Sequence, residues 1–206
     1  MIHTVQSQIV FIRKFFQFPR QIGAIVPSSP ALAKEIVRLA NVRQSKTIVE
    51  FGPGTGVFTK QILQRMPKDA KLLAIEADAN LVVLLRKKYH RACVAAGYAQ
   101  DIQRIMQAYG FSQADCIVSG LPWATFESQL QDEILTEALA ALKPGGTFTT
   151  FGYLHALSLP KAKRFREKLH QTFSSVQISK TIWNNVPPAI IYRCVKTANG
   201  TQKREK

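Results

Sequence analysis

The sequence predicts an α/β fold: a three-layer sandwich around a mainly parallel seven-stranded sheet, ending in an antiparallel C-terminal hairpin and preceded by an amphipathic helix. Three observations lead there. From residue 47 onward short apolar, β-type segments alternate with stretches of helical periodicity, the pattern of a parallel sheet covered on both faces. The first of these strands runs directly into the glycine-rich turn Glu50-Phe51-Gly52-Pro53-Gly54-Thr55-Gly56. Near the C-terminus, two further strand-like segments are joined by a connection too short for a parallel crossover.

Taken in order, residues 2–18 are the first expected element. Ile2, Val5, Ile9, Ile12 and Phe16 recur at helical spacing, Phe11, Phe15 and Phe18 widen the apolar face, and Arg13, Lys14 and Arg20 flank it. That is the pattern of an interfacial membrane anchor, or of a helix packed over a ligand cleft; a lid that opens at a bilayer would be both. Next, Gly23-Ala24-Ile25-Val26-Pro27-Ser28-Ser29-Pro30 leads into a helical pattern over 31–39. Ser28 or Ser29 would cap that helix, leaving backbone amides for the carboxylate of a ligand. Strands are expected at 47–51, 71–76, 92–96, 114–119 and 146–152, and helices at 58–66, 78–89, 101–109, 127–142 and 160–171. The closing pair is 176–183 and 189–195, separated by Asn184-Asn185-Val186-Pro187-Pro188. With no linker composition anywhere, 1–206 reads as one domain: 1–40 as helix and lid segment, 41–196 as the catalytic fold, and 197–206 as a basic, frayed tail.

Charge narrows the partners. Twenty-eight basic residues stand against 13 acidic ones, a formal net charge of +15 that points to a polyanion, either nucleic acid or an anionic bilayer surface. Cys93, Cys116 and Cys194 are odd in number, sit in apolar contexts and lack metal-ligand spacing, so they read as reduced core thiols of a cytoplasmic protein without a metal. No stretch approaches the ~20 apolar residues of a membrane span, and the N-terminus lacks the layout of a signal peptide.

The glycine spacing E-x-G-x-G-x-G resembles motif I of the class I S-adenosylmethionine-dependent methyltransferases, whose fold is a Rossmann-like version of the sandwich above. Glu76, at the end of the second strand, is placed to accept from both ribose hydroxyls of an adenosine. Gln100-Asp101-Ile102 falls at the adenine-edge position, Asp101 accepting from the amino group and Ile102 packing on the ring, although an Asp before a helix also serves as an N-cap. The expected cofactor set is Ile25, Ser28, Ser29, Glu50, Gly52, Gly54, Thr55, Gly56, Glu76, Ala77, Gln100, Asp101, Ile102 and Ser119.

A narrower resemblance rests on four runs: Pro19-x-x-x-Gly23-Ala24-Ile25-x-Pro27-Ser28-Ser29, the motif I turn, Ser119-Gly120-Leu121-Pro122, and Trp183-x-Asn185-x-Pro187-Pro188-Ala189-x-x-Tyr192. Together they resemble the soluble, rhizobial-type bacterial phospholipid N-methyltransferases. That resemblance implies stepwise methylation of phosphatidylethanolamine towards phosphatidylcholine, with ornithine lipids methylated by close relatives. The expected protein is a monomer, peripheral on the inner face of the cell membrane, with an anionic phospholipid surface and an aminophospholipid substrate as its partners. The chain departs from the family at Trp123 and at Tyr153-Leu154-His155, both where an acceptor would bind. The rRNA adenine dimethylases also resemble the chain, but carry an Asn where Gly120 stands. Tyr153 is the expected group for orienting the amine, Leu121 offers its carbonyl, and His155 is a candidate proton acceptor. Gly120, Pro122, Trp123 and Arg193 are the expected substrate contacts. With Arg193, the cations Lys163, Arg164, Arg166 and Lys168 are candidates for a lipid phosphate, or simply a solvated helix face. Two alternatives stay open: an rRNA adenine N6-methyltransferase, and a non-catalytic membrane- or RNA-binding protein that retains a cofactor pocket.

Overall fold

The structure, a computed structural model, describes residues 28–198. The expected amphipathic helix, the segment carrying Ile25, and the end of the basic tail lie outside the described residues. Seven strands build the sheet: β1 (Thr47–Phe51), β2 (Lys71–Glu76), β3 (Ala92–Ala96), β4 (Ala114–Ser119), β5 (Leu142–Tyr153), β6 (Ser175–Ile178) and β7 (Ala189–Val195). Six helices accompany them among the described residues: α1 (Pro30–Leu39), α2 (Val57–Arg65), α3 (Ala79–Lys88), α4 (Ile102–Ala108), α5 (Ser128–Ala141) and α6 (Pro160–Thr172). None of these helices is long and apolar enough to cross a membrane.

The strand order is β3-β2-β1-β4-β5-β7-β6, with β1 to β5 parallel and β7 antiparallel to both β5 and β6. The order reverses between β1 and β4, the crevice at which open α/β sheets bind ligands. Apolar residues on both sides of each central strand drive this layering. Along β1, Val49 and Phe51 join one core with Leu73, Ile75 and Ile117, while Ile48 joins a second with Leu72, Cys116 and Val118. A strand buried on both faces reads as a near-continuous apolar run, which in β1 only the buried Glu50 interrupts between Val49 and Phe51.

The terminal hairpin is shorter than its sequence suggests. The expected strand over 176–183 stops at Ile178, because the Ser179 hydroxyl takes the Ile191 N–H at 2.9 Å in place of a main-chain carbonyl. Pairing resumes only as an isolated bridge between Ile182 and Ala189. In the other direction, β5 begins at Leu142 rather than at 146, its register with β4 shifting between Ala114 and Cys116.

Candidate functional site

The loops at the carboxyl ends of β1, β2 and β4 meet at the point of strand reversal. Gly52, Gly54 and Gly56 all have positive φ, at 62°, 57° and 87°. At Gly52 the left-handed backbone is also crowded, since a Cβ there would lie 2.8 Å from Leu121 Cδ2. Leu121 therefore closes over bare backbone, and any other residue at 52 would be strained by the positive φ and would displace the Leu121 side chain. Gly120 answers from the opposite side. Its N–H donates to Phe51 O at 2.8 Å, and a Cβ on it would stand 2.7 Å from Gly52 O, a backbone atom with nowhere to move. Position 120 thus lacks an acceptor side chain and also lacks space for one.

Glu76 organises the cofactor side. One carboxylate oxygen accepts the Gly54 N–H and the other the Asp78 N–H, both at 3.0 Å. Burial raises its pKa against these stabilising amides. Two amides do not exhaust the lone pairs of a carboxylate, even with the Ala77 amide also acting on it, so it can still accept a ribose hydroxyl while it holds the turn. Glu50, at the heart of β1, is fully buried and its pKa is pushed up to about 8, chiefly by desolvation. Its Oε2 accepts the Thr59 hydroxyl at 2.8 Å, but Oε1 is buried without a partner. Side-chain-free backbone, a buried carboxylate with acceptor capacity, and an orphaned buried oxygen together fit a nucleoside carrying an ammonium group. Nothing in the sequence singles out Thr59, in the first turn of α2, beyond its place after the glycine run.

On the acceptor side, several expected contacts turn out to be structural. Trp123 is buried in the core, stacked on Phe165 at 4.8 Å, with its indole N–H given to Ser119 Oγ at 3.0 Å. It presents no face to an acceptor. Ser119 is itself wholly buried, and its hydroxyl oxygen receives that indole and lies 3.4 Å from the Leu121 amide, so it shapes the turn rather than reaching a cofactor. The Leu121 carbonyl accepts the Trp123 N–H at 3.0 Å across Pro122. With φ −82° and ψ 68°, Pro122 forms an inverse γ-turn, which leaves that carbonyl one lone pair. Arg193 sits on β7 opposite Thr149, well below the carboxyl edge of the sheet, and its Nε donates to Leu39 O at 3.0 Å. It caps α1 and is withdrawn from any headgroup. Ile102 is likewise wholly buried in the core, so its side chain offers no open surface to an adenine ring. Asp101 occupies the N-cap position of α4 without making the capping bond; its partly exposed carboxylate lies 3.6 Å from Arg104. Gln100 is half-buried beside it, and Ala77 and Thr55 are exposed on their turns.

Three distant segments converge at the outer edge of this site. Ser29 caps α1 through its hydroxyl, which accepts the Leu32 N–H at 3.1 Å. Its own amide is not free for a ligand, because it donates to Asn185 Oδ1 at 2.8 Å. Half-buried Ser28 precedes it. Buried Asn185 is in turn fixed by its side-chain amide to Pro187 O, and Pro188 O accepts the Leu154 N–H at 2.8 Å. The run Trp183–Pro188 therefore ties the start of α1 to the loop after β5. Sequence reasoning assigns Asn185 no role, although it lies within the run that carries the family resemblance. Tyr153, at the end of β5, is half-buried with its ring edge-on to Phe151 and stacked on exposed His155. Burial raises its phenol pKa. Lys168 is engaged with Asp132 and Ser128 O, joining α6 to α5, while Lys163, Arg164 and Arg166 are exposed.

Comparison with known proteins decides the class. Residues 18–133, more than half of the chain, match the model of the family described as ribosomal RNA adenine dimethylase. The chain belongs to this family of S-adenosylmethionine-dependent methyltransferases. A relative from Singulisphaera acidiphila, an ornithine lipid N-methyltransferase, is 31% identical over 188 residues, spanning 90% of this chain and 94% of that protein. A dimethyladenosine transferase from Schizosaccharomyces pombe is 34% identical over only 73 residues, 35% of this chain and 23% of that enzyme. Among solved structures, the O-methyltransferase TomG from Streptomyces achromogenes, in complex with SAM, superposes with a TM-score of 0.65 at 20% identity, covering 92% of this methyltransferase and 88% of its own chain. The class I fold and the cofactor, S-adenosylmethionine, follow.

Proposed function

We propose that this methyltransferase transfers methyl groups to the amine of an aminolipid headgroup, phosphatidylethanolamine or a related lipid, towards phosphatidylcholine in the first case. The observation that carries the reading is the near full-length relation to an ornithine lipid N-methyltransferase, where the dimethyladenosine transferase shares about a third of the chain. Gly120 adds to it, since an amide side chain has no room against Gly52 O.

Bound S-adenosylmethionine supplies an electrophilic methyl group on a sulfonium. The chain's task is to hold Glu76 and the glycine turn under the nucleoside, and to align a neutral amine in line with that methyl. An alkylammonium such as that of lysine titrates at about 10.4 in water, and a dry site lowers that value. The Tyr153 hydroxyl, kept protonated by its raised pKa, would orient the amine, with the remaining lone pair of the Leu121 carbonyl as a second acceptor. His155, exposed beside Tyr153, would pass the released proton to solvent. The Phe-rich N-terminal sequence and the +15 charge support a peripheral position on an anionic membrane, on its cytoplasmic face.

The family model and the charge also favour a second reading, adenine N6 of rRNA. Turnover separates the two. Purified protein with radiolabelled cofactor should label the aminolipid in mixed micelles, increasingly as pH rises and the ammonium deprotonates. Label in rRNA and none in the lipid fraction would replace the lipid reading with the RNA one.

A further inference from the structure

Large apolar side chains are exposed at one rim of the site. Trp183 and Val186, in the connection from β6 to β7, are each 69% exposed, and Leu159, at the foot of the loop between β5 and α6, is 52% exposed. Both connections lie at the carboxyl edge of the sheet, next to Tyr153, because β7 starts opposite the end of β5. They are also held to one another through Leu154 N–H and Pro188 O. Trp183 and Val186 flank buried Asn185, which fixes the connection to Ser29, so the two side chains project from a braced turn rather than from a loose loop. Exposed cations adjoin them: Lys180 precedes Trp183, and Lys163 and Arg164 follow Leu159 at the start of α6. Lys161 in the same turn faces Glu127 at 3.5 Å.

Exposed aromatic and aliphatic tips beside cations are the composition of an interfacial anchor, in which the apolar groups enter the acyl boundary and the cations stay with anionic headgroups. We propose that Trp183, Val186 and Leu159 form a wedge that inserts into the interface of an anionic bilayer and sets the mouth of the site against the headgroup layer. The proposal rests on the aminolipid reading, and it does not depend on the N-terminal helix. An amine on a membrane-resident lipid then reaches Tyr153 without leaving the bilayer, which lowers the ordering cost of presenting it.

The protein carries two tryptophans, and the other, Trp123, is buried in the core. Fluorescence on adding vesicles of phosphatidylglycerol and phosphatidylcholine, neither of which has an amine that can accept a methyl group, therefore reports on Trp183. The expected result is a blue shift with quenching by brominated acyl chains, absent in Trp183→Phe. Trp183→Asp with Val186→Asp should weaken vesicle binding about tenfold or more, as burial of two large apolar side chains implies, and should slow methyl transfer to vesicle-borne aminolipid. Transfer to a short-chain, water-soluble aminolipid and calorimetric affinity for S-adenosylmethionine should stay unchanged, which also shows that the variant is folded. Wild-type turnover on vesicles with no spectral shift, or a double variant as active on vesicles as wild type, overturns the wedge while leaving the aminolipid reading intact. Absence of wild-type turnover on both vesicle-borne and short-chain aminolipid overturns that reading instead. A Trp183 response to rRNA and none to vesicles overturns the wedge in favour of a nucleic-acid contact.

Discussion

The two halves of the site are built differently. Under the expected nucleoside, between β1 and β3, the chain uses backbone and buried carboxylates: glycines at positive φ, Glu76 bonded to two main-chain amides, Glu50 sealed in β1. Around the expected acceptor, from β4 to β7, polar side chains mostly satisfy one another or nearby backbone. Trp123 donates to Ser119, Gln131 donates to Trp123 O at 2.7 Å, Arg193 closes α1, and Asn185 joins two loops. The cofactor half is generic to a fold that binds one ligand, so its residues announce themselves by type and spacing. The acceptor half is a shape made by packing, and residue type alone does not separate a lining group from a supporting one.

The largest expected effect tests the supporting role. Trp123→Ala should destabilise the fold by about 3–5 kcal/mol in chemical denaturation, the cost of emptying a large aromatic site, with the orphaned Ser119 adding to it. If Trp123 instead touched the acceptor, turnover would fall while the denaturation midpoint held.

Next comes the pH dependence of the cofactor half. Glu50 has a folded-state pKa of about 8 against an ordinary 4.5, so between those values the native state holds a proton that the unfolded chain has released. Its contribution to the stability of the ligand-free protein is complete at low pH and is lost as pH rises from about 5 through about 8, following proton linkage. Glu50→Gln, which cannot ionise, should flatten that fall in denaturation curves recorded across the range. An unchanged slope would mean that Glu50 is ionised in the fold.

A smaller effect is expected on affinity. Glu76→Ala should cost about 1.5–3 kcal/mol of S-adenosylmethionine binding by calorimetry, the range for hydrogen bonds to a charged acceptor. Equal affinity in the variant would remove the ribose assignment.

Much of the fold is legible in the sequence. Strand boundaries at 47–51, 71–76, 92–96 and 114–119 agree with β1 to β4, because buried parallel strands are continuous apolar runs bounded by turns. The first hairpin strand ends early, and nothing in Ser179-Lys180-Thr181 marks a hydroxyl that will replace a carbonyl in the ladder. Gly120 reads in sequence only as a missing acceptor; the approach of Gly52 O explains why it must be glycine, a long-range contact invisible in one dimension. Ile102 follows the adenine-edge pattern, yet it is wholly buried in the core, while the carboxylate of the preceding Asp101 stays partly exposed. By charge alone Arg193 is a phosphate ligand, but its depth along β7 is set by the register with β5.

That the acceptor is the amine of a membrane lipid is tested most directly by mass spectrometry of the lipids from a host that makes phosphatidylethanolamine but no methylated derivatives, expressing either this protein or its Glu76→Ala variant. New methylated aminolipids are expected with the wild type, and a sharply reduced yield with the variant. An unaltered lipid profile, together with newly methylated adenine in the host's rRNA, would contradict the aminolipid assignment.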